Sequence, residues 1–320
     1  MRTLSCSVLL SATLLFTTSA LAIDVSAINE AKPLSGEDKP AMIRLQTLLD
    51  RAGASVGPID GLMGDATTGA IAAFEEMQGF EVDGKLDEKV WSALSSEGKA
   101  AVQEYEITKE DAGMELTGEI PERYAEMAKL EKMGFQRHSE ALAERFHVTE
   151  ELLKELNPDA DFGKAGTKII VPAPGEPVSD SVARIVIDKS ERRVSAYSGS
   201  GEEAKLVFSA PAAVGSNEMP SPSGTMKVKA VAPEPNYTFD PENIPEAETK
   251  EKVIIPPGPN GPVGGTWIDL AKPTYGIHGT PEPSSIFDAQ SHGCVRLTNW
   301  DVAALAKLVQ AGETSVEFTE

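Results

Sequence analysis

Cysteine and histidine are scarce in this chain, with two and four copies in 320 residues. One of the two cysteines, Cys6, lies in the opening apolar stretch, so a mature chain without that stretch keeps only Cys294. One thiol cannot form an internal disulfide. In an exported protein an odd cysteine is either a reactive group or an intermolecular partner. Positive charge is also short: 29 Lys and Arg stand against 50 Asp and Glu, a net charge of −21. That balance excludes nucleic acid, whose phosphates would go unneutralised, and adhesion to anionic lipid. Solubility accounts for most of the acidity. Long apolar runs are missing too. The longest, residues 4–16, is broken by Ser, Thr and Cys and is well short of the roughly 20 residues a spanning helix needs. No transmembrane anchor and no solenoid repeat is expected.

What is present at the start is an export signal. Met1-Arg2 supplies a short positive end, residues 4–16 the apolar core, and Ala20-Leu21-Ala22 an A-x-A cleavage site. Residues 1–22 are therefore expected to be a cleaved signal peptide, and a periplasmic location follows. With 41% hydrophobic residues in 320, the chain has enough apolar material for two or three small cores.

Three parts follow. Residues 41–97 read as three helices. Met42, Leu45, Leu48 and Leu49 share one helical face, and Ile71, Phe74 and Met77 another. The turn-rich run Gly57-Pro58-Ile59-Asp60-Gly61 lies between them, Thr67 can cap or begin the second helix, and Val90, Trp91 and Leu94 close the third. Residues 105–175 read as a small α/β segment. Apolar residues at helical spacing run over 139–156 and stop at Asn157-Pro158; a short strand over 166–172 ends in a proline-rich linker. From residue 182 the pattern is β, with strand candidates at 183–187, 193–197, 205–208, 226–231 and 267–270 and one clear helix at 301–309. Residues 233–262, rich in proline and acid, are expected to break any ladder. A solvated loop is the plain reading of 240–251, and a lid the sharper one.

The residues that carry chemistry cluster at 275–300. Cys294 sits in Ser291-His292-Gly293-Cys294-Val295-Arg296, with His278 a short loop upstream. A thiol is activated by a neighbouring imidazole, which can lower its pKa and hold a thiolate–imidazolium pair. The thiolate attacks an acyl carbon, and Gly293 lets backbone N–H groups approach the oxyanion. His278 is the candidate base and His292 a pocket wall or second donor. A metal site on His278, His292 and Cys294 lacks a fourth ligand. His138 and His147 read as surface or satisfied core residues. Trp267 is a candidate for the cleft wall, with core packing as the competing role.

Tyr275-Gly276-Ile277-His278-Gly279-Thr280 followed by Ser291-His292-Gly293-Cys294-Val295-Arg296-Leu297 resembles the signature of the L,D-transpeptidase catalytic domain. Pro222-Ser223-Gly224-Thr225 and the 256–264 run fit the same family, over about 182–320. The resemblance implies a mostly β domain with a C-terminal helix. It also implies a cysteine acyltransferase needing no cofactor, with Cys294 as nucleophile and His278 as base. The Gly279 carbonyl would orient the imidazole, and His292 and Gly293 would line the oxyanion site. Tyr275, Ser291, Arg296 and Trp267 are the substrate-side candidates; Arg296, where many members have asparagine, could meet a stem carboxylate. The implied donor is the tetrapeptide stem of peptidoglycan. The acceptor is an amine on another stem (a diaminopimelate cross-link), on a free D-amino acid, or on a lipoprotein lysine. Acylation by carbapenems is implied as well. Residues 41–97, with Arg44-Leu45-Gln46, Asp60-Gly61, Thr67-Thr68, Asp83-Gly84 and Trp91, resemble the three-helix peptidoglycan-binding domain. Residues 105–175 weakly resemble a LysM module. Two other functions stay open: the same cysteine passing its acyl group to water, as an L,D-carboxypeptidase or cross-link hydrolase, and a non-catalytic wall-binding scaffold.

Overall fold

The computed structural model describes residues 24–33, 38–173, 175–216, 219–243, 250–287 and 293–320. Residues 1–22, expected to be an export signal, and Ser291 and His292 of the cysteine motif lie outside the described residues. The protein is multidomain, with an N-terminal helical region, a small α/β middle segment and a curled, mostly β domain closed by a helix near the C-terminus.

The helical region contains α1 (Val25–Glu30), α2 (Lys39–Arg51), α3 (Asp65–Gln78) and α4 (Glu88–Leu94). Its turn-rich loop is pinned by one buried side chain. Gln46 donates to Asp60 Oδ1 at 2.8 Å and Leu62 O at 3.0 Å, while its carbonyl accepts from the Asp60 and Gly61 amides. Four bonds satisfy an amide that would otherwise be costly to bury. Thr67 lies inside α3, with Gly64 at the N-cap, and its hydroxyl accepts from Gln46. The helix stops at Gly79, whose φ of +66° suits glycine.

The middle segment runs β1 (Val102–Glu106), α5 (Lys109–Ala112), α6 (Tyr124–Met127), α7 (His138–Arg145), α8 (Glu150–Leu156) and β2 (Lys168–Pro172). β1 and β2 pair antiparallel. The continuous helical spacing of 139–156 is in fact two helices. Residues Phe146 to Val148 turn the chain, His147 takes φ +56°, and Thr149 caps α8 by accepting from the Leu152 amide. The apolar faces of α7 and α8 and those of α2 and α3 bury into one shared core, so the helical region and the middle segment are packed together.

The third part holds β3 (Arg184–Asp188), β4 (Arg193–Ser198), β5 (Lys205–Pro211), β6 (Gly224–Pro233), β7 (Tyr237–Phe239), β8 (Val253–Ile255), β9 (Thr266–Leu270), β10 (Gly276–His278), β11 (Val295–Arg296), α9 (Asn299–Leu308) and β12 (Ser315–Thr319). Eight strands form one sheet in the order β11-β10-β9-β6-β12-β3-β4-β5. Just beyond β5, Ala213 bonds both ways with Arg296 of β11 at 2.9 Å, so the sheet curls until its two edges meet. α9 packs inside the curl, on the core of alternating strand residues such as Ile185, Ile187, Val194 and Ile268. The proline- and acid-rich run was expected to carry no ladder; it contains the paired strands β7 and β8. Residues 244–249 of the expected loop or lid lie outside the described residues.

The parts are clasped at a polar seam. Ser55 N donates to Ser209 O and Ser209 N to Gly53 O, both at 2.8 Å. Buried Arg193 donates to Ser55 O. His147 Nδ1 lies 2.9 Å from Asp50 Oδ2, and its ring stacks on Trp300. His147 is thus a partnered seam residue.

Candidate active site

β10 and β11 lie side by side in parallel, with His278 opposite Arg296. Cys294 immediately precedes β11, and the register continued back one step sets it opposite Gly276, two positions before His278 on the neighbouring strand, so the thiol and the imidazole alternate onto the same face of the sheet. Both line one cavity of about 480 Å³, together with Trp267, Arg296, Tyr237 and Tyr124.

His278 is only 4% exposed and is fixed on two sides. Its Nδ1 is 2.7 Å from the Gly279 carbonyl. A carbonyl only accepts, so Nδ1 carries the proton and Nε2 holds the free lone pair. The Trp267 indole, opposite it on β9, stacks on the imidazole at 5.4 Å with 16° between planes. Trp267 therefore lines the cavity and packs on the histidine at once. Gly276 makes room for it, since a Cβ there would stand 2.4 Å from the indole.

Asn299, at the start of α9, packs against the Gly279 backbone. Asn299 Oδ1 accepts from Gly265 N at 3.1 Å, and a Cβ on Gly279 would meet that oxygen at 2.0 Å. Asn299 Nδ2 donates to Pro259 O at 3.0 Å and to Glu144 of the middle segment at 2.9 Å. A chain of contacts thus runs from α7 through Asn299 and Gly279 to the imidazole.

The Cys294 thiol is half-buried. Its Sγ lies 3.6 Å from the carbonyl of Thr274, a residue with φ +70°. Burial pushes the thiol up, against the opposing pull of a backbone bond and the nearby Arg296 cation. Burial also pushes His278 down to about 4, and Arg296 adds to that shift. Both displacements favour neutral partners. These shifts lean toward thiol and imidazole and away from the thiolate–imidazolium pair that the motif allows.

Arg296 faces the cavity, and its buried Nε has no hydrogen-bond partner among the described residues. Gly293 has φ +107°, and a Cβ there would stand 2.9 Å from the Tyr275 ring. Tyr275 thus packs behind the glycine, under Lys272. No group of three His, Cys, Asp or Glu suited to a metal occurs among the described residues.

Tyr124, Tyr237, Thr274, Asn299 and Glu144 are the site residues that motif reading missed. Tyr124 and Glu144 come from the middle segment, about 150 positions or more away in sequence, and nothing local in their surroundings marks them. Thr274 adjoins the motif, but its φ cannot be read from residue type.

Comparison with known proteins places the chain among enzymes of one kind. Residues 182–318 match the family described as "L,D-transpeptidase catalytic domain". Residues 38–94 match the family described as "Putative peptidoglycan binding domain". A protein of Bacillus licheniformis named "Putative L,D-transpeptidase YkuD" is 35% identical over 185 residues, covering 56% of this chain and 92% of its own. "Probable L,D-transpeptidase YbiS" of Escherichia coli is 30% identical over 175 residues, covering 52% and 55%. Among solved structures, an L,D-transpeptidase from Stackebrandtia nassauensis is 15% identical with a TM-score of 0.33, covering 89% of this chain and 92% of that one.

Proposed function

The chain belongs to the L,D-transpeptidase family, and from that premise we propose that it is a periplasmic enzyme that cross-links peptidoglycan through a thioester on Cys294. The observation that carries the chemistry is the fixed imidazole. His278 has its Nδ1 proton committed to the Gly279 carbonyl and its ring clamped by Trp267, with Cys294 in the same cavity.

The donor is the tetrapeptide stem. As the sulfur attacks its acyl carbon, the thiol proton passes to Nε2, the one ring nitrogen with a lone pair to give. The pair is neutral beforehand, so charge develops only as the tetrahedral oxyanion forms. His292 and Gly293 are read as lining the site of that oxyanion. The imidazolium then protonates the departing D-residue's amine and leaves the thioester. An amine acceptor, on a second stem or a lipoprotein lysine, reverses these steps. Arg296 offers its guanidinium to a stem carboxylate at the cleft wall. Carbapenems would acylate the same thiol.

The helical region at 41–97 serves to hold the enzyme on its insoluble substrate. It raises the local concentration of stems at the cleft without adding contacts there. Muropeptide analysis after incubation with disaccharide tetrapeptide tests this reading. The wild type is expected to give dimers and Cys294→Ala none; dimers from the alanine variant would refute it.

A further inference from the structure

We propose that the middle segment is part of the active site, and that Tyr124 governs whether an amine or water discharges the acyl-enzyme. The inference rests on the thioester reading given above and concerns what happens after Cys294 is acylated.

Tyr124 begins α6, in the stretch between α5 and α7 that reaches away from the small β1–β2 sheet. This stretch crosses to the catalytic part and backs the β7–β8 hairpin. The Tyr124 ring packs on Phe239 at 4.6 Å and on Tyr237 at 5.8 Å between centroids. Met133 is fully buried against Phe239 and Ile255. The backbones are joined as well: Met133 N donates to Pro257 O at 2.8 Å, and Asn260 N donates to Met133 O at 2.9 Å. At Gly258 a Cβ would stand 2.1 Å from the Met133 carbonyl oxygen, so the two chains touch with no side chain between them. This third, separate core has no share in the sheet's own packing. It fastens the hairpin to the middle segment.

The consequence lies in the cleft. Tyr124 and Tyr237 line the same cavity as Cys294 and His278. They give it an aromatic wall built from two distant pieces of chain. An aromatic wall favours a carbon chain over water. An acceptor amine carried on an aliphatic chain can cover the two rings and displace water from the thioester. In aminolysis the nitrogen forms a C–N bond to the acyl carbon, the C–S bond breaks, and the amine proton passes through His278 Nε2 to the leaving sulfur. In hydrolysis water forms the C–O bond, and its proton takes the same path. The wall acts on the partition between these two steps and not on acylation.

The test is the ratio of hydrolysed tripeptide to cross-linked dimer, measured with full-length mature protein at fixed acceptor concentration. Alkylation of Cys294 by iodoacetamide is followed in parallel. Tyr124→Ala is expected to raise the ratio about three- to tenfold, the range of an aromatic contact, with alkylation unchanged. Met133→Ala, which loosens the wall from behind without entering the cleft, should move the ratio in the same direction. An unchanged ratio in a folded Tyr124→Ala overturns the proposal. So does a parallel fall of alkylation, acylation and both products, since a merely structural residue would give that. A wild type that forms no acyl adduct at Cys294 removes the thioester reading itself, and this inference with it.

Discussion

Glu144 offers a sharp quantitative test of how the middle segment meets the catalytic part. Burial pushes its carboxyl from 4.5 up to about 7; nearby Glu140 adds to the rise, and the Asn299 bond and His147 offset part of it. A carboxyl raised on folding binds more protons in the folded than in the unfolded state, so stability falls as pH rises from the unfolded value through the folded one. Between pH 5 and pH 8 this single group should cost the wild type about 2–3 kcal/mol. Glu144→Gln keeps an oxygen to accept from Asn299 but cannot ionise. Titrating groups not coupled to Glu144, among them Asp301, raised by burial to about 6, are common to both proteins and cancel in the difference. Urea unfolding at the two pH values should therefore show the variant gaining about 2–3 kcal/mol on the wild type between pH 5 and pH 8. Two proteins whose stabilities move together over that range would refute the argument that Glu144 is buried in the folded state at this seam.

Three further outcomes are expected. Asn299→Ala removes the acceptor for Gly265 N–H and the donor to Pro259 O and Glu144. It should destabilise the protein by about 2–4 kcal/mol and slow acylation about tenfold, because Gly279 loses the side chain packed against it; a normal acylation rate would disconnect Asn299 from the imidazole. The pH–rate profile of acylation should rise with a midpoint near 4, where buried His278 loses its proton and becomes a base. A midpoint near 6.5 would mean that the imidazole is not desolvated. Deleting residues 238–252 removes Phe239 and one side of the β7–β8 ladder. It should leave the eight-stranded sheet folded, seen as an unchanged far-ultraviolet spectrum, while altering donor use; unchanged kinetics would deny the hairpin any part in the cleft.

Much of this was legible in residue order, and the exceptions have physical causes. Helical spacing located α2, α3 and the paired apolar residues of α7 and α8. It missed the break at His147, because a side chain at φ +56° leaves no trace in an apolar period. The Thr149 cap before Glu150 was the available signal. Composition suggested that the run 233–262 carried no strands. Two three-residue strands escape a window tuned to longer alternation, and they are held by Tyr124 and Met133, far away in the chain. The motif named Cys294 and His278 together, and the parallel pairing of β10 with β11 sets them on neighbouring strands two positions apart. It could not name Asn299 or Glu144, whose relation to the imidazole exists only once α7 and α9 meet. Nor could it give the charge state of the pair, which depends on how deeply the fold buries both groups.

The most direct test of the central claim is intact-protein mass spectrometry of the mature enzyme after incubation with a disaccharide tetrapeptide. The account predicts an adduct of the donor acyl group that maps to Cys294, disappears in Cys294→Ala, and is discharged to dimer when acceptor is added. Folded protein with a free thiol and no adduct would contradict it.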